Sequence, residues 1–545
     1  MHVSWLPSIL FASSLQAASV PAAPTPWSIP ADRGAMAPWV SADGDGVIAT
    51  WMERANDAHV VKFARMGADG SWSLPTEVAR DPLLLANWAD TPTVIRGGDR
   101  FLYAAFPVRS AEQAHAYDAV VARSTDGGAT WSAAERLHGD ETASEHGFVS
   151  LVPEKDGVRA FWLDGRAVPT GGPMTLRTAV VGESVSASAL VDPRTCSCCN
   201  TSAAVMPSGV QVAYRDRAAD REIRDITLVR SLDGGWSPTA DSADGWEIAG
   251  CPVNGPAFAS GAGAETSRHQ AMAHFTMADG EPVVKLSLSS DGGQAWAPPL
   301  AVARADGAET PLGRVSAVRL GDEVLVIWLA ERGALGVVRA RRVARDGRVG
   351  PAVDLGFTTP DRKSGFPRAA LSNDELLVVW THAEGLSGVR VDPLWVPPPD
   401  RSAPQRETSR AVASMARPSR PAYTARKPDG TSVSLPTDKP VLVNLWATWC
   451  GPCVAELQDL ATLHAAVGAT VDFVGVAIDD RADRVERFSA PYPLVLDDGS
   501  AATAFGVTAV PTTMVYGREG TLLWSREGPI TADDAELRDL LMSLP

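Results

Sequence analysis

The chain has 545 residues and a formal net charge of −16, with 65 acidic and 49 basic residues. This length exceeds what one hydrophobic core normally supports, so the sequence predicts at least two domains. The acidic balance argues against nucleic acid as the main partner, because a polyanion is bound through basic side chains. An apolar content of 45% is that of an ordinary folded, soluble protein.

Residues 1–19 have the pattern of an export signal. A short apolar run at residues 5–12 precedes the small residues Ala17, Ala18 and Ser19, which are typical of a cleavage region. The run is too short to span a bilayer, and no later stretch of about 18 apolar residues follows. We therefore expect a periplasmic or otherwise exported protein, soluble after cleavage and without a transmembrane span. Six cysteines in two clusters agree with an oxidising compartment.

The next part of the chain, up to residue 395, repeats with a period of roughly 55 residues. Each unit begins with a short strand of small residues and continues with an alternating strand that ends in an aromatic side chain. These aromatic positions are Trp51, Phe106, Trp162, Tyr214, Phe275, Trp328 and Trp380. The alternation predicts strands and the repeat predicts an all-β propeller over residues 26–395, with seven blades or alternatively six.

The last unit of the repeat has only three predicted strands, so one outer strand is missing. Residues 26–30 (PWSIP) imitate the outer-strand opening of the first unit, residues 72–75 (WSLP). We expect residues 26–30 to complete the last blade and to bury Trp27. This pairing would close the ring and remove the exposed sheet edges.

Several units carry an Asp-Gly turn followed by a tryptophan, as at residues 124–131 and 290–296, with shorter versions at 68–72 and 231–236. These turns resemble the Asp-box of BNR/sialidase-like propellers. The resemblance implies that the aspartate caps a tight glycine turn and that the tryptophan packs between sheets. This role is structural, so the turns indicate an architecture and say little about activity.

Sialidase-like glycoside hydrolysis is a minor alternative that the same resemblance suggests. Such enzymes need an arginine triad, a tyrosine nucleophile with a glutamate partner and an acidic proton donor. Arg224, Arg314 and Arg368 are candidates for the triad. The chain has only six tyrosines, none pairs clearly with a glutamate, and the family's Phe-Arg-Ile-Pro opening is missing. A plain binding propeller is therefore preferred.

The propeller contains four cysteines, each placed just before an innermost strand in one of two adjacent blades. They are Cys196, Cys198, Cys199 and Cys251. In propellers, loops of this kind surround one mouth of the central channel. We expect His146, at the entry to the third blade, to join them at the same rim, together with the charged loop 215–225.

Three interpretations of this cluster stay open. The cysteines form structural disulfides, they bind Cu or Zn with or without His146, or they are redox-active thiols. A disulfide between the vicinal Cys198 and Cys199 would be strained, so pairing of Cys251 across the two blades is easier.

Residues 396–421 are rich in Pro, Ser and Arg and have no apolar period, which predicts a semi-rigid linker. Residues 422–545 follow as a second domain. We expect the linker to let this domain reach the channel mouth, where it would reduce a disulfide among the propeller cysteines.

The most specific motif of the chain lies in this second domain. A run of β-forming residues, 441–446, leads into a CxxC motif that a helix follows directly. The motif and the residue before it are Trp449, Cys450, Gly451, Pro452 and Cys453. At a helix N-terminus, free N–H groups and the helix dipole lower the pKa of Cys450, so it should attack disulfides as the more exposed thiolate. Cys453 should resolve the mixed disulfide. A zinc site is disfavoured, because no second pair of Cys or His residues follows the motif at ligand spacing.

This motif, with Asn444 before it and Pro511 after it, resembles the exported TlpA/ResA-like branch of the thioredoxin superfamily. The resemblance implies an α/β thioredoxin fold, a cis Pro511 that faces the sulfurs and holds a substrate chain in extended form, and a Glu456 that tunes the thiols. Asn444 stands where cytoplasmic thioredoxins have a buried aspartate. The group that takes the proton from Cys453 therefore stays open.

The sequence as a whole predicts an exported thiol–disulfide oxidoreductase in two domains. A CGPC centre suggests a reductant, since thioredoxin-type potentials lie near about −270 mV. Its expected partners are a disulfide-bearing protein and an upstream thiol reductant, and the thioredoxin-like domain requires no cofactor. The propeller would bind or present the substrate. The alternative is a metal-handling or ligand-binding propeller whose cysteines the CxxC domain maintains.

Overall fold

A computed structural model describes most of the chain as two folded parts, seven four-stranded antiparallel sheets and one seven-stranded mixed sheet with four α-helices. The predicted signal segment and most of the predicted linker lie outside the described residues. Those residues are 23–112, 115–219, 221–232, 235–242, 244–261, 263–373, 375–400, 423–435, 439–478, 480–505 and 510–544.

The seven four-stranded sheets are the blades of a propeller, numbered here in chain order, and each runs from an inner to an outer strand. Blades 1 to 3 comprise Met36–Asp43, Gly46–Ala55, Ala58–Met66 and Thr76–Asp81; Thr93–Arg96, Leu102–Arg109, Tyr117–Ser124 and Glu135–Arg136; and His146–Glu154, Gly157–Asp164, Thr175–Val181 and Ala189–Asp192. Blades 4 and 5 comprise Ser202–Met206, Gly209–Arg215, Ile226–Leu232 and Gly235–Asp241; and Ala257–Phe258, Gln270–Thr276, Val283–Ser289 and Leu300–Arg304.

Blades 6 and 7 complete the ring. They comprise Thr310–Leu320, Glu323–Arg332, Leu335–Val343 and Val353–Thr358; and Arg368–Ser372, Glu375–His382 and Gly385–Val391, with the N-terminal strand Thr25–Pro26 as the outer strand. The prediction of seven blades is confirmed.

The propeller is held together by apolar clusters between neighbouring blades. One such cluster lies at each of the seven interfaces, including that between blades 7 and 1. The seven periodic aromatic residues lie on the second strands and are all buried. Because blades stack face to face, both faces of these strands are covered, and burial of large aromatic side chains there is a major stabilising term.

The ring is closed by the N-terminal strand, as predicted. Thr25 pairs with Arg390 and Pro26 with Val389, and the Trp27 N–H donates to the Gly388 carbonyl at 2.9 Å. The paired segment is shorter than expected, because the chain leaves the blade edge after Trp27. The Trp27 side chain is buried and packs against Trp72 of blade 1, with 5.6 Å between ring centroids.

The Asp-Gly turns have the geometry that the resemblance implied. The Asp126 carboxylate accepts hydrogen bonds from the Thr130 N–H at 2.9 Å and from the Ser124 hydroxyl. The following Trp131 packs edge-on against Phe63 of the neighbouring blade. These turns close hairpins and connect blades, a structural role.

The second folded part is an α/β domain. Its strands, in spatial order, are Ser432–Leu435, Tyr423–Arg426, Leu494–Leu496, Asp472–Ala477, Val441–Trp446, Thr512–Tyr516 and Leu522–Glu527. Its helices are α1 (Gly451–Val467), α2 (Ala482–Val485), α3 (Ala501–Phe505) and α4 (Ala535–Ser543). The predicted fold class, a seven-bladed propeller followed by an α/β thioredoxin fold, is confirmed. The helix that the sequence predicted directly after the CxxC motif is α1.

The start of the predicted linker packs on the propeller. Val396 is fully buried, and its carbonyl accepts a hydrogen bond from the Arg342 guanidinium of blade 6. Within the described residues, no helix is both long and apolar enough to cross a membrane.

Candidate redox site

The CxxC motif lies where the central strand Val441–Trp446 meets helix α1. Every residue of this strand is buried, which fixes the point at which α1 begins. Cys450 is the N-cap of α1, and its sulfur accepts a hydrogen bond from the Cys453 N–H at 3.3 Å. Cys450 and Cys453 are joined as a disulfide. A helix N-terminus aimed at a sulfur stabilises its thiolate form, as the sequence predicted.

The two residues between the cysteines are exposed and begin the helix. Gly451 and Pro452 occupy the first turn, where proline loses no helical hydrogen bond. Trp449, just before Cys450, is half-buried. The preceding Thr448 is anchored by Asp480, which accepts from both its N–H and its hydroxyl. The motif is therefore held from both ends.

Glu456 is buried beneath the motif, one turn further along α1. Its carboxyl oxygens accept hydrogen bonds from the Asn444 side-chain amide at 2.8 Å and from the Ile530 N–H at 2.9 Å. Burial raises the pKa of Glu456 to about 8. The amide of Asn444 also donates to Thr513. Asn444 cannot accept a proton, but the buried carboxyl group of Glu456 lies next to it.

Pro511 lies on the other side of the sulfurs. The peptide bond between Val510 and Pro511 is cis, as the resemblance implied. The Val510 carbonyl oxygen lies 3.8 Å from the Cys450 sulfur. The Val510 carbonyl oxygen is therefore a polar main-chain group beside the Cys450 sulfur.

The attacking sulfur is less accessible than the sequence predicted. Cys450 is 3% exposed and Cys453 is fully buried. Propeller loops cover the motif: His115 of blade 2 contacts the Trp449 carbonyl, and the Arg362 guanidinium lies over the Trp449 ring at 5.5 Å. An isolated domain has no such neighbours, so the sequence pattern of the motif could not indicate this cover.

The propeller cysteines form a second cluster of sulfur atoms. The sulfur of Cys196 lies 3.6 Å from that of Cys198 and 3.9 Å from that of Cys199. Cys251 lies in the equivalent loop before blade 5, and it packs against the same apolar cluster as Cys198. All four are free thiols. The two loops lie side by side, since the Gly255 N–H donates to the Asn200 side-chain oxygen at 3.2 Å.

An arginine gives this cluster a positive partner. The Arg224 guanidinium donates to the Cys196 sulfur at 3.3 Å and to Glu222 at 2.9 Å. Hydrogen bonds from Cys198 and Cys199, followed by the charge of Arg224, hold the pKa of Cys196 well below its ordinary value. Burial raises the pKa of Cys199 to about 12. The cluster therefore favours a thiolate at Cys196 beside neutral thiols at Cys198 and Cys199.

A second arginine fixes the loop that carries Cys251. Arg215 is buried, and it donates to the carbonyl groups of Asn254 and Phe275 at 2.8 Å each. Its guanidinium also lies over the Trp246 ring at 4.8 Å. Several charge-assisted hydrogen bonds to main-chain oxygens make such a loop rigid.

Three further polar groups near the sulfurs were not identified from the sequence. Tyr117 donates to the Glu145 carboxyl at 2.8 Å, and Asp90 accepts from the Phe148 N–H. Burial raises the pKa of Glu145 to about 8 and that of Asp90 to about 7, and the charge of Cys251 adds to the effect on Glu145. These residues are distant in sequence and match no motif.

His146 lies in another buried group, built around a second histidine. The imidazoles of His138 and His146 stack with centroids 3.8 Å apart, and carboxylates of Asp118, Asp140 and Asp164 surround them. His146 was expected beside the cysteines. Among the described residues, however, the sulfur group that could hold a metal consists of Cys196, Cys198 and Cys199, and His146 belongs to the aspartate group.

The arginines considered for a glycosidase site pack against the protein itself. Arg224 binds Cys196, and Arg314 donates to the Asp361 carbonyl at 2.7 Å. Arg368 is buried over the Trp39 ring at 4.4 Å. These contacts favour structural roles for the three guanidinium groups.

Comparisons with known proteins agree with the redox motif. Residues 416–541 match the family model described as Redoxin. The chain is 33% identical over 97 residues to the thiol:disulfide interchange protein DsbE of Xylella fastidiosa strain Temecula1, covering 17% of this chain and 48% of that protein. It is 30% identical over 104 residues to the thiol-disulfide oxidoreductase ResA of Geobacillus thermodenitrificans, covering 18% of this chain and 59% of that protein.

The chain thus spans about half the length of these curated relatives. A crystal structure of a thiol:disulfide interchange protein from Chlorobium tepidum TLS is 24% identical, with 23% of this chain and 96% of that chain covered and a TM-score of 0.22. The predicted resemblance of the C-terminal domain to TlpA/ResA-like proteins, and its class as a thiol–disulfide oxidoreductase domain, are confirmed by the named relatives.

Proposed function

We propose that this chain is an exported thiol–disulfide oxidoreductase that reduces protein disulfides through Cys450 and Cys453, with a propeller that binds or presents the substrate. The observation that carries the proposal is the position of Cys450 as the N-cap of α1, where the Cys453 N–H donates to its sulfur. Such a sulfur is stabilised as the nucleophilic thiolate.

The reaction exchanges one disulfide for another. The Cys450 thiolate attacks a substrate sulfur, forming a mixed disulfide while the substrate's other sulfur leaves as a thiolate. Cys453 then loses its proton and attacks Cys450, which releases the second substrate thiolate and forms the Cys450–Cys453 disulfide. Glu456 is the buried group of suitable pKa to accept that proton. An upstream dithiol restores the reduced enzyme.

The test is reduction of insulin disulfides by the full-length protein with dithiothreitol as the electron source. Cys450→Ser should abolish the reaction, and Cys453→Ser should stop it at a mixed disulfide. Cys199→Ser, in the propeller, is the matched control and should keep the rate. Equal rates for wild type and Cys450→Ser would refute the proposal.

Export is proposed from the apolar segment within residues 1–19 and is tested separately. In a bacterial host, the protein should be recovered from the periplasmic fraction, shortened by the signal segment. A full-length product in the cytoplasm would contradict this part of the proposal.

Soft-metal binding by the propeller is a second candidate function, favoured by one observation. Ligand atoms of Cys196, Cys198 and Cys199 lie within 4.8 Å of one another. Three thiolates suit Cu(I) or Zn(II), and the CxxC domain would keep them reduced. Protein with Cys450 and Cys453 replaced by serine should then carry stoichiometric Cu or Zn, and Cys198→Ser should lose it. Metal-free protein in both cases would remove this candidate.

A further inference from the structure

We propose that the propeller's own Cys198–Cys251 pair is a substrate of the CxxC motif in the same chain, with the main chain at Cys251 held beside Cys450. The inference rests on the proposed function, because it uses the same attacking and resolving thiols. It adds the identity of the substrate, which is a disulfide of this chain.

The main chain of the propeller lies directly against the active site. The Cys251 N–H donates to the Val510 carbonyl oxygen at 3.4 Å, and the Cys450 sulfur lies 3.8 Å from that same oxygen. One oxygen atom thus contacts both cysteines. Pairing of an extended segment with a main-chain edge is a common way to hold a peptide for recognition.

The surrounding contacts keep the two parts in this position. Gly528 follows the edge strand of the α/β domain, and a Cβ atom at Gly528 would lie 2.8 Å from Ala249, just before the Cys251 loop. His115 and Arg362 contact Trp449 from two other propeller loops. Ala249 belongs to the loop after blade 4, Arg362 to the loop after blade 6, and His115 to a loop within blade 2. The CxxC motif therefore contacts loops from several blades.

The cover makes the propeller the nearest available substrate. Cys450 is only 3% exposed in this arrangement, so a separate protein has less access to its sulfur than the adjoining Cys251 loop has. Tethering raises the local concentration of such a pair to about millimolar or more, without any new contact. Reaction within the chain is therefore favoured over reaction with a dilute partner.

Cys198 supplies the second sulfur of the substrate. Cys198 and Cys251 pack against the same apolar cluster, and the Gly255 N–H donates to the Asn200 side-chain oxygen at 3.2 Å, so the loops that carry the two cysteines lie side by side. Oxidation by a disulfide such as oxidised glutathione would join the two sulfurs. Cys196 lies behind Cys198 at 3.6 Å. Cys251 is thus the member of the cluster whose main chain contacts the residue before Pro511, whereas Cys196 and Cys199 are buried in the propeller.

The transfer balances in two exchanges. Cys450 attacks the sulfur of Cys251, so the Cys450–Cys251 bond forms as the Cys198–Cys251 bond breaks, and Cys198 leaves as a thiolate that takes up a proton. Cys453 then attacks Cys450 and expels the Cys251 thiolate. Two electrons have moved from the CxxC dithiol to the propeller, and an external dithiol must reduce the new Cys450–Cys453 disulfide.

The experiment traps the first exchange in the full-length chain. Cys453→Ser protein is exposed briefly to oxidised glutathione, quenched in acid, blocked with N-ethylmaleimide and digested with trypsin without reduction. Trypsin separates Cys251, in fragment 231–268, from the other three cysteines, in fragment 195–215. We expect fragment 427–481, which contains Cys450, to be linked to fragment 231–268 within one molecule.

The controls make each outcome decisive. Cys251→Ser in the same background should abolish the link, whereas Cys199→Ser should keep it. A link only to fragment 195–215, or adducts only with glutathione or between molecules, would overturn the inference. If those adducts form and the wild-type protein still reduces insulin, the proposed function survives. If the Cys453→Ser protein forms no mixed disulfide and the wild-type protein does not reduce insulin, the proposed function fails as well.

A second variant tests the contact without removing a cysteine. A Cβ atom at Gly250 would lie 3.4 Å from the Val510 oxygen, so the longer side chain of Gly250→Gln should push the two parts away from each other. The yield of the intramolecular link should fall severalfold, and insulin reduction should become faster because Cys450 is uncovered. An unchanged yield together with unchanged insulin reduction would contradict the proposed contact.

Discussion

Glu456 is the residue whose surroundings most affect the chemistry of the CxxC motif. It is 1% exposed, and both oxygens accept hydrogen bonds. Burial raises its pKa from 4.5 to about 8, so the carboxyl group is mostly protonated at neutral pH and accepts a proton only as the pH approaches 8. Asn444 beside it does not titrate, so the proposed proton transfer from Cys453 is assigned to Glu456.

The pH dependence of stability gives a test at this residue. Between pH 4.5 and about 8 the folded state holds the Glu456 proton and the unfolded state does not. The resulting stabilisation is greatest below pH 4.5 and is lost as the pH rises through about 8. The free energy of unfolding should therefore fall more steeply from pH 5 to pH 8 in wild type than in Glu456→Gln.

Urea denaturation of both proteins at pH 5, 7 and 8 measures this difference. If the free energy of unfolding changed with pH equally in wild type and Glu456→Gln, the folded protein would not hold the Glu456 proton up to about pH 8. Insulin reduction at the same pH values provides a readout that a merely structural residue would not affect. The rise in rate towards pH 8 should be weaker in Glu456→Gln.

At the scale of elements, the strand Thr25–Pro26 and the adjoining Trp27 connect the two ends of the ring. Trp27 is 6% exposed and packs between Gly388 of blade 7 and Trp72 of blade 1. Removing the Trp27 side chain would open a cavity beside blade 7, which combines the first strand of the described propeller with its last three strands. A single side chain thus contributes to closure of a sheet of four strands.

Trp27→Ala should therefore destabilise the propeller by about 3–5 kcal/mol, the usual cost of removing a large buried aromatic side chain. Thermal unfolding followed by tryptophan fluorescence measures the change. Leu74→Ala, nearby but 87% exposed, is the matched control and should change stability by less than about 0.5 kcal/mol. Equal effects of the two substitutions would argue against closure through Trp27.

At the scale of the whole molecule, the contact between propeller and α/β domain controls access to Cys450. The Arg362 guanidinium lies over the Trp449 ring, a cation–π contact that is broken when the two parts separate. Access to the active site and the integrity of this interface are thus coupled.

Arg362→Ala should weaken the interface and raise the rate at which iodoacetamide labels Cys450 in the reduced protein severalfold. Mass spectrometry of fragment 427–481 after timed alkylation measures the rate. Arg33→Ala, whose side chain is 81% exposed, is the control and should label like wild type. In all three proteins Cys450 should react before Cys453, and faster labelling of Cys453 would reverse the assigned roles.

The sequence by itself determined the features that depend on near neighbours in the chain. The CxxC motif between strand and helix, the seven aromatic strands and the outer-strand pattern around Trp27 are local signals, because strand and helix periods are written in consecutive residues. These signals were sufficient for both folds and for the position of the CxxC motif at the start of a helix.

Only the tertiary structure decided which distant groups meet. The contact of Cys251 with Val510 joins residues 259 positions apart, and the stacking of His138 on His146 and the burial of Glu145 depend on how blades pack. Burial and electrostatic surroundings are properties of the packed molecule, and they set both the raised pKa values and the cover over Cys450. No periodicity or motif encodes such contacts, because each arises from groups that become neighbours only in the folded molecule.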